Sequence, residues 1–257
     1  NIASTTYNDL KKKGVRVFYV SCSASLLAIA PQAKIDGNLI VTSYAGAIEI
    51  RNTGDEVIRF IPDALSAVDV IYSDITKLAS SSKPAFLYED QDYSNFIVSG
   101  VKERIGTSTK IISEIIPAKS TTTDKQIQRL KSAKVDTVFF IPASDHACGS
   151  PISVKELGIN AICYEVGFQT DTEAYKKLIA EYKAKYKKDA DNPFYDAITY
   201  DIFKLLGKFA STKHADDFIP ELKNYIISGV NGEMSKYTFT KDGKVESGNL
   251  LKKISSN

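Results

Sequence analysis

A short run of small polar residues lies between a predicted strand and a predicted helix. Residues 15–20 are apolar and β-branched, which predicts a strand, and residues 25–35 follow a helical pattern. Ser23 and Ser25 therefore lie where a strand ends and a helix begins. Free backbone N–H groups and the helix dipole at such a point favour a carboxylate, and serine hydroxyls add donors. Serine is also a common helix cap, and the two roles are compatible.

No recognisable catalytic or metal-binding motif occurs in the chain. Glycine-rich phosphate loops and the G-x-S-x-G elbow of hydrolases are missing. His146 and His214 are isolated, and His146 is so near Cys148 in sequence that the two side chains are not expected to form a dyad. Asp189 and Asp191 belong to an acidic loop that lacks the glycine and the distal glutamate of a calcium site. We therefore expect a protein that is not an enzyme and that holds no metal and no cofactor.

The overall composition is typical of a soluble globular protein. The chain has 257 residues, which suits one large or two medium domains. No apolar run approaches the roughly 20 residues of a membrane span. A net charge of +2 provides no field that would attract nucleic acid. The three cysteines are not a disulfide framework; they fit a reducing compartment or an exported protein whose core needs no disulfide.

Short apolar strands alternate with amphipathic helices through the first two thirds of the chain. The predicted strands are residues 15–20, 38–42, 57–61, 85–88, 110–116, 136–141 and 161–166. The predicted helices are residues 25–35, 63–78, 94–105, 123–133 and 152–157. Thr123 and Gln126 have the spacing of a capping box. This alternation predicts an α/β fold whose parallel sheets are covered by helices on both faces.

The pattern changes after Gly167. Three helices are predicted with little strand between them, at residues 172–187, 192–209 and 215–227. Two strands are then predicted at residues 237–240 and 250–254, joined through a turn at residues 241–244.

Six segments in order are similar to the sequence pattern of one protein family. They are residues 21–31, 39–47, 59–62, 83–93, 194–206 and 237–243. The first reads SCSASLLAIAP, where the family has a serine-rich loop and a helix of the pattern LAxAP. The others resemble the family's VISPSAT loop, its FR strand, its KVAVLYDDDYG strand, its AYDAVKLLA helix and its YTFDxxG hairpin. The chain thus resembles the type I periplasmic solute-binding proteins, the group that contains the leucine/isoleucine/valine-binding protein.

The resemblance implies two doubly wound parallel-sheet lobes joined by a three-crossing hinge. The first lobe is expected to comprise residues 1–61 and 172–234, and the second residues 62–171 and 235–257, with crossings near Asp63, Gln169 and Ser235. Family members have further strands ahead of the serine loop. The first lobe is therefore expected to be incomplete by on the order of 60 residues. Several more residues are expected to be missing near Ala161.

The resemblance also implies where a ligand binds. Cys22, Ser23 and Ser25 match the serine loop, which receives a carboxylate. Ala45 and Ala47 match positions that offer a carbonyl and a hydroxyl to a ligand amino group. Ala47 has no hydroxyl where the family usually has threonine. The resemblance therefore supports an unmodified amino acid as the ligand less strongly than it supports the binding role.

Other proposed ligand contacts depart further from the family pattern. Tyr44 replaces a small residue or proline beside the alanine loop, and Tyr93 matches a ring that lines the cleft. Ala143 stands about where leucine-type proteins have a pocket tyrosine. Glu165 matches either an acidic residue that pairs with a ligand ammonium or, in another alignment, a position away from the site.

The implied function is capture of a small ligand in the cleft between two lobes by the solute-binding protein of an ABC importer. The ligand would be an amino acid of the branched-chain type or a related small carboxylate. The protein would be a periplasmic or extracellular monomer, with or without a lipid anchor, that docks on a membrane ABC permease and binds no nucleic acid. An alternative is the extracellular ligand-sensing domain of a receptor or kinase. A doubly wound enzyme would need a nucleophile or base, and a sugar-repressor type of regulator would need a helix-turn-helix.

Overall fold

The chain divides into two compact units in the computed structural model. The structure describes residues 2–78, 82–106, 111–117, 120, 122–142, 159–166, 172–190, 193–210, 215–240, 243–245 and 251–255. Unit 1 contains Asn1–Pro62 and Gly167–Leu250, and unit 2 contains Asp63–Val166 and Leu251–Asn257. The chain therefore passes between the units three times. The predicted helix at residues 152–157, Gln169 and Ala143 lie outside the described residues.

Unit 1 begins with a three-stranded parallel sheet of the order β1-β2-β3. Its strands are β1 (Val17–Tyr19), β2 (Leu39–Thr42) and β3 (Val57–Arg59), with α1 (Ile2–Lys12) before β1 and α2 (Ser23–Asp36) between β1 and β2. Tyr7, Phe18, Leu26 and Ile40 belong to the core that these two helices form against one face of the sheet. The helix α2 ends where Gly37 adopts the left-handed conformation (φ 66°), which glycine accepts without strain.

The remaining sequence of unit 1 is mainly helical, as predicted. The chain first leaves unit 1 and forms elements of unit 2. These are the helices α3 (Ala64–Leu78), α4 (Asp92–Ile105) and α5 (Asp124–Ser132) and the strands β4 (Pro84–Glu89), β5 (Ile112–Ile116), β6 (Thr137–Ile141) and β7 (Asn160–Val166). Unit 1 then continues with α6 (Glu173–Tyr186), α7 (Pro193–Ala210), α8 (Ala215–Ile227), β8 (Val230–Asn231) and β9 (Lys236–Tyr237). The last strand, β10 (Leu251–Ser255), belongs to unit 2.

Unit 2 is a doubly wound sheet of the order β10-β7-β6-β4-β5. Its strands are parallel except for β10, which pairs antiparallel with β7 at one edge. Successive residues of each strand face opposite sides, so β6 buries Phe139 against α3 and α4 and Phe140 on the side of α5. The sequence prediction of parallel strands buried on both faces is confirmed.

The predicted pairing of residues 237–240 with residues 250–254 is wrong, although the predicted turn is supported by an antiparallel bridge between Phe239 and Val245 and by the bond from the Thr240 N–H to the Lys244 carbonyl at 2.7 Å. The strand β9 pairs with β8 in unit 1, whereas β10 pairs with β7 in unit 2. Residues 235–250, expected in the second lobe, lie in unit 1. The physical reason is burial in unit 1: the Tyr237 hydroxyl donates to Asp201 at 3.0 Å, and the Phe239 ring packs against Phe60 at 5.2 Å. The third chain crossing therefore falls at residues 250–251 rather than near Ser235.

Two smaller expectations were also wrong. Thr123 precedes α5 without a side-chain capping bond, and the side-chain amide of Gln126 donates to the carbonyl of Ile115 at 2.9 Å. Cys163 in β7 is disulfide-bonded, although the cysteine count suggested no disulfide, and Cys22 is a free thiol. Among the described helices, none has the length and apolar character needed to cross a membrane.

Candidate functional site

The candidate site lies at the carboxyl ends of the three strands of unit 1. The strand β1 leads through Cys22 into α2, β2 leads into the loop of residues 43–47, and β3 ends at Arg59. Because the strands are parallel, these three ends lie along one edge of the sheet, where α/β proteins generally bind ligands. The loop after β2 contacts the start of α2, since the Ala47 N–H donates to the Ser23 hydroxyl at 3.3 Å.

The N-terminus of α2 presents backbone donors at this edge. The helix begins at Ser23, two positions before the predicted start, and its first described backbone bond runs from the Leu26 N–H to the Cys22 carbonyl at 2.9 Å. The backbone N–H groups of Ser25 and Ala24 lower the pKa of the exposed Cys22 thiol, and the Ser25 hydroxyl adds to this effect. These groups therefore favour negative charge at the start of the helix.

The loop of residues 43–47 is held in place by hydrogen bonds. The hydroxyl of Thr42 accepts from the N–H groups of Tyr44 (3.2 Å) and Ala45 (3.1 Å). The Ala47 carbonyl accepts from the guanidinium of Arg59 at 3.2 Å. Ala45 is fully buried in the core, and the N–H and carbonyl of Ala47 are both engaged within the protein. Ala47 therefore braces the loop here, and a direct ligand contact from it stays a prediction.

An aromatic pair covers one part of the same edge. The rings of Tyr44 and Tyr195 stack with centroids 3.9 Å apart and planes 21° apart. Tyr44 nevertheless leaves 39% of its surface exposed. Desolvation, followed by the negative charge of Asp196, raises the pKa of Tyr44 to about 12. The phenol is therefore neutral across the physiological pH range.

A cluster of three hydroxyl groups lies beside this pair. The Tyr19 hydroxyl is 2.7 Å from the hydroxyl of Ser43 and 3.2 Å from that of Thr199, and Ser43 and Thr199 are 2.8 Å apart. Tyr195, Thr199 and Phe203 are spaced four residues apart, so they share one face of α7. The hydroxyl cluster thus joins this face of α7 to the ends of β1 and β2.

Unit 2 carries a second set of predicted residues. Tyr93, at the start of α4, follows β4 and leaves 37% of its surface exposed. The neighbours of β4 are β5 on one side and β6 on the other, so its carboxyl end is the topological switch point of this sheet. The backbone of Glu165 pairs with Lys252 of β10, and its side chain lies outside the described part of the structure.

The structure brings together most of the predicted unit 1 residues. At the edge of the sheet lie the N-cap and first turn of α2, with Cys22, Ser23 and Ser25, and the loop of residues 43–47, with Tyr44, Ala45 and Ala47. The sequence interpretation missed Arg59, Tyr19, Ser43 and Thr199. The helical spacing of Tyr195 and Thr199 was a visible signal, but which strand ends they meet is a property of the tertiary structure.

Within the described residues, neither a metal-binding cluster nor the cavity of unit 1 adds to the candidate site. Within the described ranges, no group of three or more acidic, histidine or cysteine side chains is placed to hold a metal ion. A cavity of about 250 Å³ is lined by Asp55, Ile58, Pro220, Lys223, Asn224, Ile227 and Gly243, none of which belongs to the candidate site.

Comparison with known proteins relates the chain to solved structures. No family model matches the sequence, and no curated protein matches it either. A branched-chain amino acid ABC transporter periplasmic ligand-binding protein from Burkholderia xenovorans is 16% identical, with a TM-score of 0.64 over 95% of this chain and 73% of that one. The branched-chain amino acid transporter substrate-binding protein LivJ from Streptococcus pneumoniae, in complex with isoleucine, is 16% identical, with a TM-score of 0.65 over 98% and 83%.

A third neighbour holds a different ligand. It is the solute-binding protein of an ABC transporter from R. palustris in complex with benzoate, 14% identical, with a TM-score of 0.62 over 98% of this chain and 80% of that one. Together with the parallel sheet of unit 1, the doubly wound sheet of unit 2 and the three chain crossings, these likenesses define the fold of this chain as that of the type I periplasmic solute-binding proteins.

Proposed function

We propose that this chain is the solute-binding protein of an ABC importer, acting outside the cytoplasmic membrane, and that it binds a small carboxylate without transforming it. One observation carries the proposal. The hydrogen bond from the Ala47 N–H to the Ser23 hydroxyl joins the loop of residues 43–47 to the N-terminus of α2, and a helix N-terminus at this edge of a parallel sheet can receive an anion.

The chemistry of this edge supports a carboxylate ligand. The first N–H groups of a helix have no partner within the helix, and the helix dipole makes this end favourable for negative charge. A serine hydroxyl that accepts one hydrogen bond still has a proton to donate, so Ser23 can accept from Ala47 and donate to an oxyanion. The buried Arg59 guanidinium donates to the Ala47 carbonyl at the same edge and so holds the loop of residues 43–47 in place beside Ser23.

The ligands of the solved neighbours agree with this chemistry. The S. pneumoniae protein holds isoleucine and the R. palustris protein holds benzoate, and the two molecules share only a carboxylate and an apolar body. We propose the same class for this chain, with a branched-chain amino acid as one member. Tyr93, at the switch point of the unit 2 sheet, stays a predicted ligand contact of its own unit.

A location outside the cytoplasm is supported by the cysteines. Cys163 is disulfide-bonded, and disulfides persist mainly in oxidising compartments such as the periplasm and the cell exterior. Docking on a membrane permease as a monomer completes the proposed role. Capture of the purified chain by vesicles that contain its permease, in the presence of ligand, would test that part.

Binding is tested by calorimetry and thermal unfolding with isoleucine, leucine and benzoate. A ligand that binds only the folded chain raises the melting temperature with its concentration, and at 100 times Kd it adds about 2.7 kcal/mol. Ser23→Ala removes a donor to a charged group and should weaken binding by about 10-fold or more. The bound molecule should be recovered chemically unchanged.

The matched control is Ser228→Ala, since Ser228 is an exposed serine of unit 1 whose hydroxyl donates to the Tyr225 carbonyl at 2.8 Å. Its affinity should equal that of the unsubstituted chain. The proposal fails if no carboxylate raises the melting temperature. The assignment of the site fails if Ser23→Ala and Ser228→Ala bind equally well.

A further inference from the structure

The candidate site carries an aromatic surface that recognition of a carboxylate does not require. Tyr44 is one of the large hydrophobic side chains that the described residues leave exposed, with 39% of its surface accessible. Its ring is not loose, because it stacks on Tyr195 at 3.9 Å between centroids. Burial of so large a ring is normally favourable, so an exposed but stacked ring at a ligand-binding edge calls for an explanation.

The backbone under this ring is fixed at several points. The Thr42 hydroxyl accepts the N–H groups of Tyr44 and Ala45, and the Ser23 hydroxyl accepts that of Ala47. The Arg59 guanidinium donates to the carbonyl of Ala47. A ligand that packs on Tyr44 would therefore order little additional backbone. The entropy cost of binding is then small, and more of the contact energy contributes to affinity.

The partner ring is fixed as well. Tyr195 lies one helical turn before Thr199 on α7, and the hydroxyl of Thr199 is 2.8 Å from Ser43 and 3.2 Å from Tyr19. These bonds tie the first half of α7 to the strand ends. Thr199 is thus a positioning residue, because it holds Tyr195 under the Tyr44 ring without presenting an aromatic surface itself.

Tyr44 and Ala47 share the loop of residues 43–47. Tyr44 stands three residues before Ala47, whose N–H reaches Ser23 at the start of α2. The loop therefore connects the Tyr44 ring to the groups at the start of α2. The phenol of Tyr44 is neutral, since desolvation raises its pKa to about 12, so the ring adds no charge that would repel an anion.

We infer that the site prefers carboxylates that carry a flat, conjugated ring, with the ring stacked on Tyr44 and the carboxylate at the N-terminus of α2. This inference rests on the proposed function and adds the class of ligand body. Aromatic pairs gain stability beyond the area they bury, whereas a saturated ring of equal carbon number has no π-face. An aromatic ligand should therefore bind about 2- to 10-fold tighter than its saturated counterpart.

The test compares matched pairs of ligands on the whole chain. Benzoate is compared with cyclohexanecarboxylate, and phenylalanine with β-cyclohexylalanine, by isothermal titration calorimetry. Each pair shares its carboxylate and its number of carbons and differs in planarity. The ratio of the two Kd values measures the preference for a flat ring and cancels the contribution of the carboxylate.

Variants of Tyr44 locate the preference. Tyr44→Phe keeps the ring and should keep the ratio, whereas Tyr44→Leu keeps apolar area without a π-face and should bring the ratio to about one. The matched control is Tyr186→Leu, since Tyr186 is an exposed tyrosine of unit 1 whose ring also packs on another tyrosine, Tyr182, at 4.7 Å. This control should leave the ratio unchanged.

The outcomes separate this inference from the proposed function. If carboxylates bind but the unsubstituted chain shows a ratio of one, the preference for a flat ring is wrong and the carboxylate site stands. The same holds if the ratio survives in Tyr44→Leu, or if Tyr186→Leu lowers it equally. If none of these ligands nor isoleucine or leucine binds, both the inference and the proposed function are overturned.

Discussion

Individual side chains in unit 1 hold segments that are far apart in sequence. Asp201 is the clearest case, because its carboxylate is 4% exposed in the middle of α7. It accepts from the N–H groups of Glu233 (2.8 Å) and Met234 (3.2 Å) and from the Tyr237 hydroxyl (3.0 Å). One carboxylate thus fixes the turn between β8 and β9, and it explains why this segment joins unit 1.

Asp201 should make the stability of the chain depend on pH. Burial raises the pKa of its carboxyl, although the hydrogen bonds from Tyr237 and from two backbone N–H groups oppose this. The folded chain therefore holds the proton more tightly than the unfolded chain, whose value is about 4. The free energy of unfolding should fall as the pH rises from the pKa of Asp201 in the unfolded chain to its pKa in the folded chain. Above the folded pKa, this contribution to stability is lost completely.

The variant Asp201→Asn tests this sign, because it keeps an oxygen acceptor for the two N–H groups and does not titrate. Its free energy of unfolding relative to the unsubstituted chain should improve as the pH rises between these two pKa values. Urea denaturation at a series of pH values measures the difference. A difference that is constant, or that runs in the opposite direction, would contradict a raised pKa.

At the scale of elements, hydroxyl bonds connect α7 to the sheet of unit 1. Sequence periodicity predicts an amphipathic helix at residues 192–209. It does not predict which side chains contact Tyr195, Thr199 and Phe203, because many polar or aromatic residues could do so. In the structure they meet Tyr44, Ser43 and Tyr19 in turn. The pairing is specific because hydroxyl groups need partners at a fixed distance when they leave water.

Thr199→Val should lower the free energy of unfolding by about 1 kcal/mol, since it removes one hydroxyl from a half-buried cluster and keeps the side-chain shape. Tyr19 and Ser43 retain their own bond at 2.7 Å, which limits the loss. Thr76→Val is the control, because Thr76 is an exposed helical threonine that bonds only to carbonyls of its own helix. Urea denaturation of both variants should show the larger loss for Thr199→Val.

At the scale of the whole molecule, each unit has a core of its own. In unit 2, Phe139 is completely buried and its ring contacts those of Phe86 and Tyr164. In unit 1, Phe18 packs on Tyr7 with ring centroids 4.6 Å apart. Because the chain crosses three times between these two cores, segments that are close in sequence can belong to different units. The strand β9 pairs within unit 1, whereas β10 pairs within unit 2.

Core substitutions should therefore act locally. Phe139→Ala should lower the free energy of unfolding of unit 2 by about 3–5 kcal/mol. The backbone amides of β4, β6 and β7 in this variant should exchange hydrogen faster than in the unsubstituted chain. Phe18→Ala should do the same for β1 and β2 of unit 1. Native-state hydrogen exchange followed by mass spectrometry measures both. Equal acceleration in both units by either substitution would contradict separate cores.

The sequence by itself determined the local structure and the order of strand, serine loop and helix at the start of α2. Short apolar, β-branched runs and amphipathic segments define the strands and helices within a few residues, because these preferences act between near neighbours in the chain. The serine loop before α2 was predicted from residues in sequence order alone, since a strand, a loop and a helix that follow each other place their donors together.

Only the tertiary structure decided which distant segments complete the site and the units. The pairing of Tyr44 with Tyr195, the meeting of Thr199 with Ser43, and the placement of Tyr237 on Asp201 join residues more than 30 positions apart. Many polar or aromatic residues could satisfy such contacts, and burial and distance select among them only once the chain has folded. The assignment of β10 to β7 was missed for the same reason, because an exposed strand edge accepts any chain that reaches it.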